Sequence, residues 1–173
     1  MIPCCQKKEE LGDPLFLSTG NNSLIPRKIS LHGWKVQHRR LATFENLLKC
    51  VIISNLKDCP FCKLYSETGS HIFFDCFIAK GLIIEIVKWW NISLPGNMLE
   101  SIFLWGEANN INGDKLHIFK ATILTYFWQI WKTRNEFVHD KNHDLIERIF
   151  TLIQGLTFFW INSKKKLNHS SVF

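Results

Sequence analysis

A mainly α fold, in the form of one small helical domain, is what this sequence predicts, and three observations carry the prediction. Apolar residues return every three or four positions through several long segments, which is the spacing of a helical face. No two neighbouring segments alternate apolar and polar residues as paired strands would. Cys59, Cys62, His71 and Cys76 place four soft donor atoms within eighteen residues, between the early and the late helical segments. One metal ion held there would staple a segment that has no periodicity of its own.

At 173 residues, with 46% hydrophobic and 13% aromatic content, the chain can bury a real core and is too apolar for a disordered tail. The formal net charge of +6 and a pI near 9.1 favour an anionic partner, such as nucleic acid or an acidic protein face, without choosing between them. The greasiest stretch, Ile72 to Trp90, is broken by Asp75, Lys80, Glu85 and Lys88. It is therefore not the run of about 20 apolar residues that a bilayer span needs, and no membrane association is expected. Six cysteines in a chain whose first residues show no apolar signal core suit an intracellular, reducing compartment, either nucleus or cytoplasm.

The elements follow in order. Residues 1–23 mix prolines, glycines and a polar run, and are expected to be an irregular N-terminal arm. The helical domain is expected over residues 24–166, with a tail over 167–173. Pro26 suits the first turn of a helix, where its missing N–H costs nothing. After it, Leu31, Trp34, His38 and Leu41 share one helical face, while Lys28, His32, Lys35 and Arg39 share another as a basic stripe. Thr43 is placed to cap a second, short helix through Leu47, Leu48 and Cys50. A loop with a tight turn at Cys59-Pro60-Phe61-Cys62 comes next. Ile78, Leu82, Ile83, Ile86, Val87 and Trp90 then predict a helix to about Trp89, with Gly81 a local weakness.

Residues 91–112 read as connecting loop, anchored to the core by the apolar island Ile102-Phe103-Leu104-Trp105. Lys115 to Asp140 is the longest helical signal. Its polar stripe, Thr122, Thr125, Gln129, Lys132, Thr133, Glu136 and Asp140, is so narrow that the helix is expected to be the central one. A last helix from about Asp144 to Lys164 is expected to bury Ile146, Ile149, Ile153, Leu156, Phe159 and Trp160. Lys164, Lys165 and Lys166 would then complement its C-terminal dipole.

Chemistry concentrates in the cysteine segment. A Cys-x2-Cys alone would be read equally well as buried thiols or a redox pair. The further His71 and Cys76 complete a spacing that suits Zn²⁺, which takes thiolate sulfur and imidazole nitrogen in fours. Such a Cys3His set leaves no coordination position for water or substrate, so the expected metal is structural. Lys57 and Lys63 are near enough in sequence to offset the negative charge of three thiolates. Cys4, Cys5 and Cys50 have no comparable spacing. No histidine falls into a nucleophile-and-base grouping, and no acidic pair sits in a strand context, so no enzyme activity is expected. Lys28, Lys35, Arg39 and Arg40 are candidate phosphate contacts, set against an ordinary solvated basic face. Arg134-Asn135 reads first as a buried hydrogen-bonding pair tying the long helix to a loop. Trp89, Trp90 and Trp105 border predicted loops and are the candidates among the tryptophans for stacking on bases.

Cys59-Pro60-Phe61-Cys62 followed by Glu67-Thr68-Gly69-Ser70-His71-Ile72-Phe73-Phe74-Asp75-Cys76 resembles the reverse-transcriptase zinc-binding domain of plant non-LTR (LINE-type) retrotransposons. Ile25-Pro26-Arg27-Lys28-Ile29 with Trp34 and Arg40 to Leu47 is similar to that family's entry helix, and Trp128-Gln129-Ile130-Trp131-Lys132-Thr133-Arg134-Asn135 to its late helix. The resemblance spans roughly residues 24–140. It implies a non-catalytic, zinc-stabilised accessory module of a retroelement protein that engages RNA or DNA beside a reverse transcriptase or ribonuclease H domain. Two further readings stay open at this point: a protein-protein interaction scaffold with purely structural zinc, and a decayed retroelement fragment without present function.

Overall fold

The computed structural model describes residues 25–50, 57–93, 102, 105–136 and 145–170. The arm expected over 1–23 lies outside them. Along the chain come α1 (Arg27–Gln37), α2 (Phe44–Lys49), a π-helical turn (His71–Asp75) and α3 (Phe77–Trp90), then the single-turn α4 (Trp105–Ala108), α5 (Gly113–Glu136) and α6 (Leu145–Ser170). Among the described residues the only β feature is one bridge between Asp58 and Ser66. No described helix is long and apolar enough to cross a membrane.

α5 is the central helix, as its narrow polar stripe predicts, and packs against α1, α4, α6 and the π-helical turn. Of the stripe's described residues only Lys132 and Glu136, at the C-terminal end, are exposed. Thr122, Thr125, Gln129 and Thr133 are all buried. Their polarity is absorbed within the helix where Thr122 Oγ1 donates to Ile118 O at 3.0 Å and Thr125 Oγ1 to Ala121 O at 2.7 Å. α6 runs to Ser170, into the expected tail, while the end expected for α5 at Asp140 lies outside the described residues. Its inward line is Leu145, Ile149, Ile153, Thr157 and Trp160, while Phe159 is 62% exposed, contrary to expectation. Thr157 completes the buried line by donating to Ile153 O at 2.8 Å.

The buried face of α1 is also turned by about one residue, some 100°, from the sequence reading. Ile29, His32 and Gly33 point inward, whereas Leu31 is 54% exposed. Gly33 lets α1 lie close on α5, since a Cβ there would come within 2.1 Å of Leu124 Cδ2 and displace that side chain. His32 leaves the basic stripe for the interior, where Nε2 donates to Phe127 O at 3.3 Å and the ring meets Trp128 edge-on at 5.4 Å. Gly81 has a similar use in α3: a Cβ would come within 2.5 Å of Ile146 Cδ1, so this glycine is a packing notch for α6 rather than a weak point.

The ends of the elements follow ordinary capping physics. Thr43 Oγ1 accepts from Asn46 N at 3.4 Å at the start of α2, as its sequence position predicts. α1 closes with Arg39 in the left-handed region at φ 51°, while Arg40 N donates to Lys35 O at 2.8 Å and Arg39 N to Val36 O at 3.0 Å. The island expected to anchor the third connection does so through Ile102 and Trp105, both buried; Phe103 and Leu104 lie outside the described residues. Trp105 is therefore core and not a stacking surface. Trp89 and Trp90 are half-buried, with Trp90 meeting Phe119 edge-on at 5.1 Å and Trp89 meeting Phe150 at 5.9 Å.

Burial pushes the His32 pKa down to about 4, with smaller influences from the Phe127 carbonyl, which raises it, and Lys35, which lowers it. The unfolded chain binds this proton near pH 6.5 and the folded chain only near pH 4, so stability is complete above the first value and is lost as pH falls toward the second. We expect His32→Gln to remove roughly 2 kcal/mol of the acid destabilisation between those limits. Denaturant unfolding of both proteins across this range checks it; parallel pH profiles would exclude His32 as the cause.

Candidate metal centre

The segment before the π-helical turn is a tight reversal pinned at its base by the Asp58–Ser66 bridge. Cys59 N donates to Tyr65 O at 2.7 Å, Glu67 N to Lys57 O at 3.0 Å, and Lys63 N back to Cys59 O at 2.9 Å. Lys63 takes φ 58°, which lets the chain turn directly after Cys62. Cys59 and Cys62 thus face the same side of the reversal. On the far strand Thr68 caps the next turn, its Oγ1 accepting from His71 N at 3.0 Å. Cys76 N then donates to His71 O at 2.8 Å, a five-residue step that makes the turn π-helical. The wide turn places His71 and Cys76 beside one another, and Cys76 is also the N-cap of α3.

The result is a single cluster. The donor atoms of Cys59, Cys62, His71 and Cys76 all lie within 4.8 Å of one another. Cys59 Sγ is 3.9 Å from Cys76 Sγ, and Cys62 Sγ is 3.2 Å from His71 Nε2. A tetrahedral zinc with bonds of about 2.3 Å to sulfur and 2.0–2.1 Å to nitrogen needs edges of roughly 3.5–3.8 Å, so these two pairs fit that ion within a few tenths of an ångström and the whole set within about 1 Å. Their protonation fits as well. Burial holds the His71 imidazole below its ordinary pKa, so it is neutral and its lone pair is available at neutral pH. The hydrogen bond to Cys76, together with burial, pushes the Cys59 thiol up, while the same bond from Cys59 holds Cys76 down. A metal cation held by the four donors would take all three cysteines as thiolates and release their protons.

Two contacts dock the segment on α5. Tyr126, fully buried, donates its hydroxyl to Phe73 O. Arg134 Nη2 reaches both carboxylate oxygens of Glu67, at 2.6 and 2.8 Å, and Nε adds a bond at 3.1 Å. Glu67 is wholly buried between Cys62 and His71 in sequence, so its charge depends on that guanidinium. The sequence reading of Arg134 as a tie between helix and loop is what the structure contains, although Asn135, which accepts from Arg134 Nη1 at 3.0 Å, is itself exposed.

The four candidate phosphate contacts divide. Lys28, Lys35 and Arg40 line one open cleft of about 650 Å³ between α1 and α5. Arg39 lines a neighbouring cleft of about 500 Å³ beside α2 and the π-helical turn, because α1 ends two residues before it. The first cleft also takes Trp128, Trp131 and Lys132 from α5. Sequence reasoning gave those tryptophans to a late-helix motif and missed their pairing with the basic residues of α1. Only the spacing of Trp128, Trp131 and Lys132 on one side of α5 hinted at it.

Residues 17–82 match the family described as zinc-binding in reverse transcriptase. The match takes in α1, α2, all four donors and the start of α3, and stops short of the late helix at which the wider resemblance ends. No curated protein and no solved structure matches the chain.

Arg134→Met should lower the unfolding free energy by about 3–5 kcal/mol, the range for leaving one member of a buried ion pair alone. A double variant with Glu67→Leu should recover much of that loss. Chemical denaturation of the three proteins measures both, and a neutral Arg134→Met would show that the pair does not hold the segment down.

Proposed function

Because residues 17–82 carry the zinc-binding domain found in reverse transcriptases, we propose that this chain is a non-catalytic accessory module of a retroelement-derived protein. In this reading Cys59, Cys62, His71 and Cys76 hold a structural Zn²⁺, which orders a surface that contacts RNA or DNA. The ion would supply no bond-making chemistry, since four protein donors fill a tetrahedral shell. Its contribution is to folding: it cross-links the reversal at Cys59–Cys62 to the start of α3, and so sets Glu67 under Arg134.

The observation that supports nucleic-acid contact is the convergence of Lys28, Lys35 and Arg40 in one cleft beside two tryptophans. None of the three cations has a carboxylate partner among the described residues, whereas Lys132 lies 3.7 Å from Glu136. Unpaired cations grouped beside aromatic rings suit a phosphate backbone better than a packed protein face. A reverse transcriptase or ribonuclease H domain is the natural neighbour on this reading, and nucleus or cytoplasm its compartment. The scaffold reading draws on a different face, where Leu152, Phe158 and Phe159 of α6 are 44%, 54% and 62% exposed.

Two outcomes test the proposal. Cys76→Ser should take bound zinc below one equivalent by metal analysis and lower the melting temperature; an unchanged melting temperature would mean that the site does not organise the fold. Fluorescence anisotropy with labelled RNA and DNA across a salt series should give a log–log slope of about −2 or steeper, as expected for three phosphates neutralised together. Absence of binding at low salt would discard the nucleic-acid reading and leave the scaffold.

A further inference from the structure

Trp128 and Trp131 are three residues apart on α5, so both reach the same side of the helix, toward α1. Each ring is partly buried, so part of each indole stays within reach of solvent. Lys28 Nζ lies 5.5 Å over the centre of the Trp128 ring. Since Lys28 lines the cleft, that ring face belongs to the cleft. Trp131 is held differently: the Arg134 guanidinium lies over it at 5.0 Å, and Arg134 is fixed in turn by buried Glu67. Trp131 is thus a rigid wall, while Trp128, packed against the Ile29–Leu124 cluster and His32, carries the long, flexible side chain of Lys28 over its ring.

A cleft of about 650 Å³ falls within the range of pockets that enclose small organic ligands, about 300–1,000 Å³. The ligand that suits it must be flat on one side and anionic on the other. A duplex keeps its base faces stacked internally and shows a cleft only its edges and backbone. An unpaired nucleotide shows both a π-face and phosphates. Resting on the nucleic-acid reading above, we propose that the α1–α5 cleft binds single-stranded nucleic acid, with an unpaired base stacked on Trp128 and the flanking phosphates held by Lys28, Lys35 and Arg40. Lys28 serves in both states. It covers the empty ring as a cation and moves to a phosphate when a base takes its place. Arg40 does not need to move, because Trp34 supports its guanidinium from below at 5.1 Å. Glu67 and Arg134 are positioning residues, connecting the metal segment to the wall at Trp131.

The test compares three ligands of equal length, about 20 nucleotides so that the paired one stays duplex, on the zinc-loaded full chain: an oligothymidylate, its abasic counterpart, and the oligothymidylate annealed to a complementary strand. Oligouridylate in place of oligothymidylate separates RNA from DNA; tighter binding of either assigns the strand and supports the cleft. The expected result is that removing the bases weakens binding about tenfold or more, and that pairing them does the same. Lys28→Ala with Lys35→Ala, both at exposed positions, should lower affinity and make the salt slope shallower by about 1.4. Trp128→Leu should abolish the preference for the base-containing strand; the abasic comparison on the unaltered protein carries the test if that variant does not fold.

Equal binding of the thymidylate and the abasic strand would overturn the stacking site while leaving the nucleic-acid reading intact. A base preference that survives in the double lysine variant with unchanged affinity would also overturn it, by placing the site elsewhere. Failure of every strand to bind would end both readings together.

Discussion

Glu67 is the residue on which the rest of this structure turns. Its carboxylate is wholly buried, an environment in which an ionised group is held only with a matched partner. Arg134 supplies that partner from the last turn of α5, in a fork geometry that an ammonium could not reproduce. The backbone of the same residue works in two more directions, since its N–H closes the reversal on Lys57 O and its carbonyl accepts from Glu45 N at the start of α2. Early helix, cysteine reversal and central helix therefore meet at one position. Neither the segment nor the late helices can shift without stranding a charge.

This arrangement explains how a segment with almost no apolar periodicity comes to be an ordered part of a helical domain. It buries Cys59, Ile72, Phe73 and Cys76 almost completely, yet has only one bridge and one π-helical turn to satisfy its backbone. Hydrophobic contact supplies much of its attachment through Phe73 and Phe74, which meet Phe127 edge-on at 5.3 and 5.9 Å. Cross-links must supply the rest: four donors converging on one point, and two hydrogen-bonding side chains reaching across from α5. The same central helix carries the cleft tryptophans on the side facing α1, so the cysteine segment and the cleft share a rigid support without touching.

Much of this was legible in the sequence, for reasons that are local. Donor spacing is a local property, so Cys59, Cys62, His71 and Cys76 could be grouped before any fold was known. The Thr43 cap and the central position of α5 likewise follow from patterns a few residues long. The misreadings are equally physical. Leu31 and His32 exchanged places because a one-residue rotation of α1 was decided by Gly33 against Leu124, a contact ninety residues away along the chain. The threonines of α5 looked wet because sequence patterns score a hydroxyl as polar, whereas in a helix it can be satisfied by the preceding turn. Phe159 was assigned to the core by hydrophobicity alone, although the buried line of α6 passes through Thr157. Lys28, Lys35 and Arg40 were found, but their meeting with Trp128 and Trp131 depends on how α1 lies across α5, which no short pattern records.

The π-helical turn at His71–Asp75 carries a consequence for how such chains can vary in length. Between Cys62 and His71 the chain passes through Leu64, which is 78% exposed at the tip of the reversal ahead of the Tyr65 carbonyl that pairs with Cys59 N, so residues gained beside Leu64 lengthen a solvent-facing bulge. Between His71 and Cys76 every residue but Asp75 is buried, and the turn already accommodates one residue more than an α-helical turn would. A residue lost there would come out of the run Ile72-Phe73-Phe74, whose buried rings pack on Phe127, so the turn could not shorten without vacating part of the core. Drift in length is therefore open on the first interval and closed on the second. The second spacing is the dimension against which any lengthened or shortened version of this segment can be judged able or unable to form the cluster.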